Sequence, residues 1–137
     1  MDIVNPDQLR MYIGIREGID LGHAMLAVGH GVLACYLQFI DDPIMELWES
    51  HSFRKVICLL NDKEFATARQ IERSLVMTES GFANAETAVV LAPRIDKEWP
   101  HVVKWWRLVN LENFTSVQLH DKGIENVENN EQNGSGN

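Results

Sequence analysis

Two histidines, His23 and His30, stand in the stretch GIDLGHAMLAVGHGVLACY, from Gly18 to Tyr36, which is otherwise almost wholly apolar. Such residues can ligate a metal, move a proton or simply pack. Metal ligation fails on spacing. Seven residues along one helix separate the two side chains by about 10 Å, at roughly 1.5 Å rise per residue. Metal–nitrogen bonds are about 2 Å long, and helical ligand pairs stand at i, i+4. The chain has no Cys-x-x-Cys and no His-Glu-x-x-His to build a better cluster. Neither a metal nor another cofactor is therefore expected.

Position separates the two histidines. Asp20 is an N-cap candidate, which puts His23 in the first turn of a helix. Backbone N–H groups without intrahelical partners and the positive end of the helix dipole lie there. That field favours a neutral ring, fit to accept a proton or a hydrogen bond. Gly22 beside it would let a ligand approach the backbone, and helix starts of this kind bind phosphate and other anions. The bland alternative is a surface histidine in a helix cap. His30 lies mid-helix between Gly29 and Gly31, and is expected to be buried and hydrogen-bonded to a neighbour.

The elements that must position these residues follow from periodicity and punctuation. Met11–Arg16, MYIGIR, reads as a buried strand. Gly22–Phe39 reads as a largely buried helix, apolar nearly all round. Gly29 and Gly31 each cost about 1 kcal/mol there relative to alanine, which close packing of another backbone would explain. Asp41, Asp42 and Pro43 break that helix, and a short one follows over Ile44–His51. Arg54–Leu60, RKVICLL, is a second strand. Asn61 or Asp62 caps a helix with apolar positions Phe65, Ala68, Ile71 and Leu75. A short strand ends near Gly81, Thr87–Pro93 is the clearest strand, and a last helix is expected over Lys97–Leu108 with Pro100 in its first turn. Strands alternating with helices give an α/β domain with a parallel or mixed sheet. Residues 1–9 form a polar lead-in, 10–116 a single domain, and 117–137 a polar, acidic tail expected to be disordered.

Bulk properties bound the partners. The 137 residues suffice for one core. Net charge is −8. The tail carries four acidic residues against Lys122, leaving 11 basic and 16 acidic residues, or −5, on residues 1–116. A body this acidic argues against broad electrostatic capture of nucleic acid, which rests on phosphate neutralisation, but leaves room for a local nucleotide site. Cys35 and Cys58 sit in apolar runs and read as reduced, buried hydrophobes. The acidic, polar start is unlike a signal peptide, and no apolar segment reaches the roughly 18 residues of a membrane span. A cytoplasmic protein with no membrane partner is expected, and a homodimer is left open.

Read in order, MYIGIR, Asp20-Leu21, Gly22-His23 followed at six residues' interval by His30, Tyr36, Trp48-Glu49-Ser50, RKVICLL, TESG and TAVVLAP resemble the type-2 peptidyl-tRNA hydrolase family, and more closely its divergent, hydrolase-domain-containing branch. The resemblance covers about residues 10–111. It implies a mixed four-stranded sheet flanked by helices. It also implies metal-free hydrolysis of the ester between a peptide, or another acyl group, and a tRNA 3′ end. The family's helix pattern, anchored on His30, keeps its glycine as Gly22, fills its lysine position with His23 and its glutamine position with Ala27. Its Asp-x-Gly loop is matched by Glu79-Ser80-Gly81, and the following threonine and glutamine by Ala83 and Asn84. Carboxylate, glycine and amide are kept in kind; the lysine, the helix glutamine and the threonine hydroxyl are replaced.

The resemblance implies His23 and Glu79 as the reacting pair, His23 as base and Glu79 orienting its ring, with Gly22, Ala27, His30, Gly81 and Asn84 as ligand-binding positions. A permanent charge is missing at position 23, and this sets a second expectation beside the first: a non-catalytic relative that holds or sequesters a nucleotide-like small molecule in the same cleft. A protein-interaction module is the third reading. Elsewhere, Trp99, Trp105 and Trp106 near Lys104 and Arg107 could stack bases, but an amphipathic helix burying Val102, Val103 and Trp106, with the basic residues covering its outer face, is the stronger reading.

Overall fold

A computed structural model describes residues 4–110 and 112–115 of the chain. The proposed tail, 117–137, lies outside the described residues. Nine elements are named here: β1 (Arg10–Arg16), α1 (Leu21–Gln38), α2 (Pro43–Ser50), β2 (Arg54–Leu60), α3 (Asp62–Ala68), β3 (Ser74–Glu79), β4 (Ala85–Leu91), β5 (Arg107–Leu108) and α4 (Glu112–Thr115). The strands form one mixed sheet in the order β3-β4-β1-β2-β5. β1 and β2 run parallel, with Ile13 opposite Ile57. The other three pairings are antiparallel.

The sheet is α/β and mixed, as the alternation of strands and helices requires, but among the described residues it has five strands and not four. The fifth is the two-residue β5, which extends the edge beyond β2. β5 occupies the end of the segment expected to be the last helix. That segment instead makes two 3₁₀ turns, Asp96–Glu98 and His101–Trp105. The residue before a proline is pushed towards extended backbone. Trp99, preceding Pro100, has φ −73° and ψ 128°, so the helix cannot run through it.

The third helix is also shorter than its periodicity suggests. A capping box between Asn61 and Glu64 starts α3, but the helix stops at Ala68. Arg73 then turns the chain through left-handed backbone, φ 61°. Leu75 thereby joins β3, opposite Val90.

Alternation along the strands divides the core into two layers. Met11, Ile13 and Ile15 of β1, with Ala88 and Val90 of β4, face α1 and α2. Cys58, Leu60, Val89 and Leu91 face the opposite side, under α3 and the indoles of Trp99 and Trp106. Burial pushes the Cys35 thiol up to about 12 and the Cys58 thiol up to about 11.

α1 is buried on one side only, through Ala24, Ala27, Gly31 and Cys35. The apolar residues on its far side stay in water: Met25, Leu26, Leu33 and Leu37 are all at least half exposed. The expectation of a largely buried helix is thus corrected. The two glycines differ. A Cβ at Gly31 would lie 2.5 Å from Val90 Cγ2, so glycine there lets α1 settle onto β4. A Cβ at Gly29 would meet nothing within 4 Å.

Candidate functional site

α1 starts where β1 has delivered the chain to one end of the sheet. Asp20 is its N-cap, as its position suggests, yet its side chain caps no backbone N–H. The carboxylate turns to His23 and meets ring Nδ1 through Oδ1 in a short contact. Residues three apart share a helix face, so the first turn builds this Asp–His pair by itself. The contact through Nδ1 puts Nε2 on the side of the ring away from the carboxylate.

Nε2 faces the turn that follows β3. That turn is a short 3₁₀ segment, Ser80–Phe82, followed by Ala83 and Asn84 in left-handed backbone, φ 56° and 58°. Such backbone is unfavourable by about 1–2 kcal/mol for a residue with a Cβ. It is held in part by the Asn84 N–H, which donates to the Glu79 carbonyl at 2.9 Å. Glu79 Oε1 accepts from the Gly81 N–H at 3.3 Å, and Glu79 Oε2 lies 3.9 Å from His30 Nε2. A Cβ on Gly81 would lie 3.7 Å from both His23 Nε2 and Glu79 Oε1. A side chain at 81 would therefore stand in contact with both the ring and the carboxylate.

The seven anticipated positions are distributed as follows. Gly22, His23 and His30 lie on the flank or outer side of α1, and Glu79, Gly81 and Asn84 in the turn facing it. Ala27 does not join them: it is 2% exposed and packs on the sheet, so its methyl is shut off from any ligand in this cleft. His30 is not buried, since its side chain is 62% exposed and its neighbour is Glu79 across the cleft. The carboxylate on Nδ1 of His23 comes from Asp20, whereas Glu79 is engaged with Gly81 and His30.

Asp20 was legible only as a cap. The spacing Asp-x-x-His over a helix start is itself the signal for a carboxylate–imidazole pair, because an N-cap side chain and the residue three on share the first turn. Among the described residues, no group of three or more His, Cys, Asp or Glu is arranged to hold a metal ion, and no helix is long and apolar enough to cross a membrane.

Trp99 and Trp106 take no part in this cleft. Trp99 and Trp106 are buried against Tyr12 on the other face of the sheet, with ring centroids 4.7 Å and 6.3 Å away. Arg107 is engaged by Glu17 at 2.5 Å. No family model matches the chain, and no curated protein matches it.

Proposed function

We propose that this protein is a peptidyl-tRNA hydrolase-like esterase, with the type-2 peptidyl-tRNA hydrolase fold, that cleaves the ester between a peptide or acyl group and a tRNA 3′ end. The observation that carries the reading is the Asp20–His23 pair at the start of α1, its Nε2 on the side of the turn at Gly81. In this reading Nε2 takes a proton from water as the water attacks the ester carbonyl, and returns it to the tRNA 3′ oxygen as the C–O bond breaks and the acid is released. Asp20 holds the tautomer and stabilises the imidazolium that forms, as carboxylates do in other His–carboxylate pairs. The positive end of the α1 dipole favours the negative charge that develops on the carbonyl oxygen. Glu79 keeps the turn in shape through the Gly81 N–H and faces His30; its role is positioning.

Substituting His23→Ala is expected to lower peptide release from a peptidyl-tRNA analogue by about 10²–10⁴-fold, the usual worth of a general base. Asp20→Asn is expected to follow in the same direction with the fold intact. Equal turnover by wild type and His23→Ala would overturn the assignment.

A second reading is a catalytically silent relative that binds a nucleotide-like molecule in the same cleft. It is favoured by the side chains that meet there: both histidines already face a carboxylate, and position 23 lacks a fixed positive charge for the oxyanion. Absence of turnover, together with a nucleotide that co-purifies with wild type and is lost with His23→Ala, would select this reading.

A further inference from the structure

We infer that the groove between α1 and the end of α2 binds a small quaternary ammonium compound. Its volume is about 420 Å³, within the roughly 300–1,000 Å³ of small-molecule sites. Val32, Leu33 and Tyr36 line it from α1, and Trp48 and Glu49 from α2, with Phe53 just beyond. Trp48 is buried and Phe53 is half exposed. The two rings stand 5.0 Å apart, tilted by 37°.

Three observations select the occupant. The first is charge. Glu49 is the one charged residue among those lining the groove, and it forms no ion pair among the described residues. A carboxylate beside apolar walls calls for a cation. The second is the aromatic lining. Cations are attracted to ring faces, and the chain already uses one here: Lys55 Nζ lies 3.1 Å from the Phe53 centroid, leaving Glu49 unpaired. The third is the small number of acceptors. Apart from Glu49, only the Tyr36 hydroxyl among the lining side chains can accept a hydrogen bond. Trp48 Nε1 already donates to the Arg54 carbonyl at 2.7 Å. A primary ammonium brings three N–H donors that must be satisfied. A quaternary one brings none, and its methyl groups match the apolar walls.

Two local features keep the groove in shape. Phe53 has left-handed backbone, φ 53°, with its N–H donated to the Trp48 carbonyl at 2.8 Å. Such backbone is unfavourable for an aromatic residue and is met at ligand clamps. Gly29, which also lines the groove, weakens the middle of α1. Nothing lies within 4 Å of the place its Cβ would take, so the glycine leaves that space to the groove. The compound is taken free from solution and not as a lipid headgroup. α1 holds no Lys or Arg to meet bilayer phosphates, and the chain's net charge of −8 opposes an acidic surface. The groove shares no residue with the Asp20–His23 cleft, so the proposal stands or fails apart from the esterase reading.

Choline chloride, titrated into the full chain with amide NMR shifts as the readout, tests it. Saturable shifts centred on residues 29–36 and 48–53 are expected, with a Kd on the order of 1 mM. The uncharged isostere 3,3-dimethylbutan-1-ol is expected to bind about tenfold more weakly. Glu49→Gln, at an exposed position, is expected to weaken choline binding by about tenfold with the fold intact. Gly29→Leu is expected to fill the groove and abolish binding. Phosphatidylcholine vesicles are expected to leave the protein in the supernatant on centrifugation. No saturation by choline, shifts centred on the Asp20–His23 cleft, or equal affinity for the charged and uncharged compounds overturns the proposal. So does undiminished binding in either variant, and co-sedimentation with the vesicles overturns the assignment to a free compound.

Discussion

At the scale of single residues, the cleft depends on a side chain that is absent. Gly81 does not have the positive φ that demands glycine, so alanine fits its backbone. Its new methyl would lie at ordinary contact distance, 3.7 Å, from His23 Nε2 and Glu79 Oε1, where the proposed reaction places its water. Gly81→Ala is therefore expected to leave the thermal midpoint within a few degrees of wild type, as surface changes within about 0.5 kcal/mol do. It is also expected to cut hydrolysis by at least tenfold, read as kcat on a peptidyl-tRNA analogue. Unchanged kcat would mean that the space beside Nε2 is not used. His23 and Gly22 were legible as residues of a helix start, the Glu79-Ser80-Gly81 turn was singled out only by the resemblance, and the structure sets that turn against the helix start. The carboxylate meeting Nδ1 of His23 was harder to read, because an acidic residue before a helix has two uses, capping the backbone or holding a side chain. Sequence position suggests the first, and the second is what α1 makes of Asp20.

At the scale of elements, β2 lies where its apolar run predicts, and α1 within one residue of its predicted ends at each side. Long apolar runs with clear punctuation are the strongest local signals. What could not be read was long-range. Ile71 and Leu75 continue the helical spacing of α3, yet pairing with β4 draws Leu75 into a strand. β5 is two residues long and exists only because β2 offers it an edge. The two glycines of α1 give an element-scale prediction of opposite signs. Gly31→Ala drives a methyl to 2.5 Å from Val90 Cγ2, and is expected to destabilise by about 1–3 kcal/mol. Gly29→Ala meets nothing and is expected to stabilise the chain by up to about 1 kcal/mol. Urea unfolding of both variants reads this out. Two shifts of the same sign would contradict the placement of α1 on the sheet.

Across the whole molecule, two buried thiols tie stability to alkaline pH. Burial raises Cys35 from 9.0 to about 12, and burial with the nearby Glu64 carboxylate raises Cys58 from 9.0 to about 11. The unfolded chain thus releases these protons first, near pH 9, while the folded chain keeps them. The stabilisation is complete below pH 9 and is lost as pH rises towards the folded values. Urea midpoints are expected to fall between about pH 8 and about pH 10, and to fall less steeply in Cys35→Ala once its own lower starting stability is subtracted. An identical slope in the two proteins would remove Cys35 from the account.

The cleft joins two parts of the chain with separate histories of assembly. The Asp20–His23 contact spans three residues and can form as soon as α1 does. Gly81 and Glu79 belong to a hairpin, β3–β4, whose turn is equally local. The two meet only when β4 pairs with β1, a contact that closes a loop of most of the domain. Local contacts form early and distant pairings late in folding. In a refolding experiment, recovery of helical circular dichroism should therefore precede recovery of the proposed hydrolysis. The interval between them times the closure of the sheet's centre rather than the making of the histidine pair.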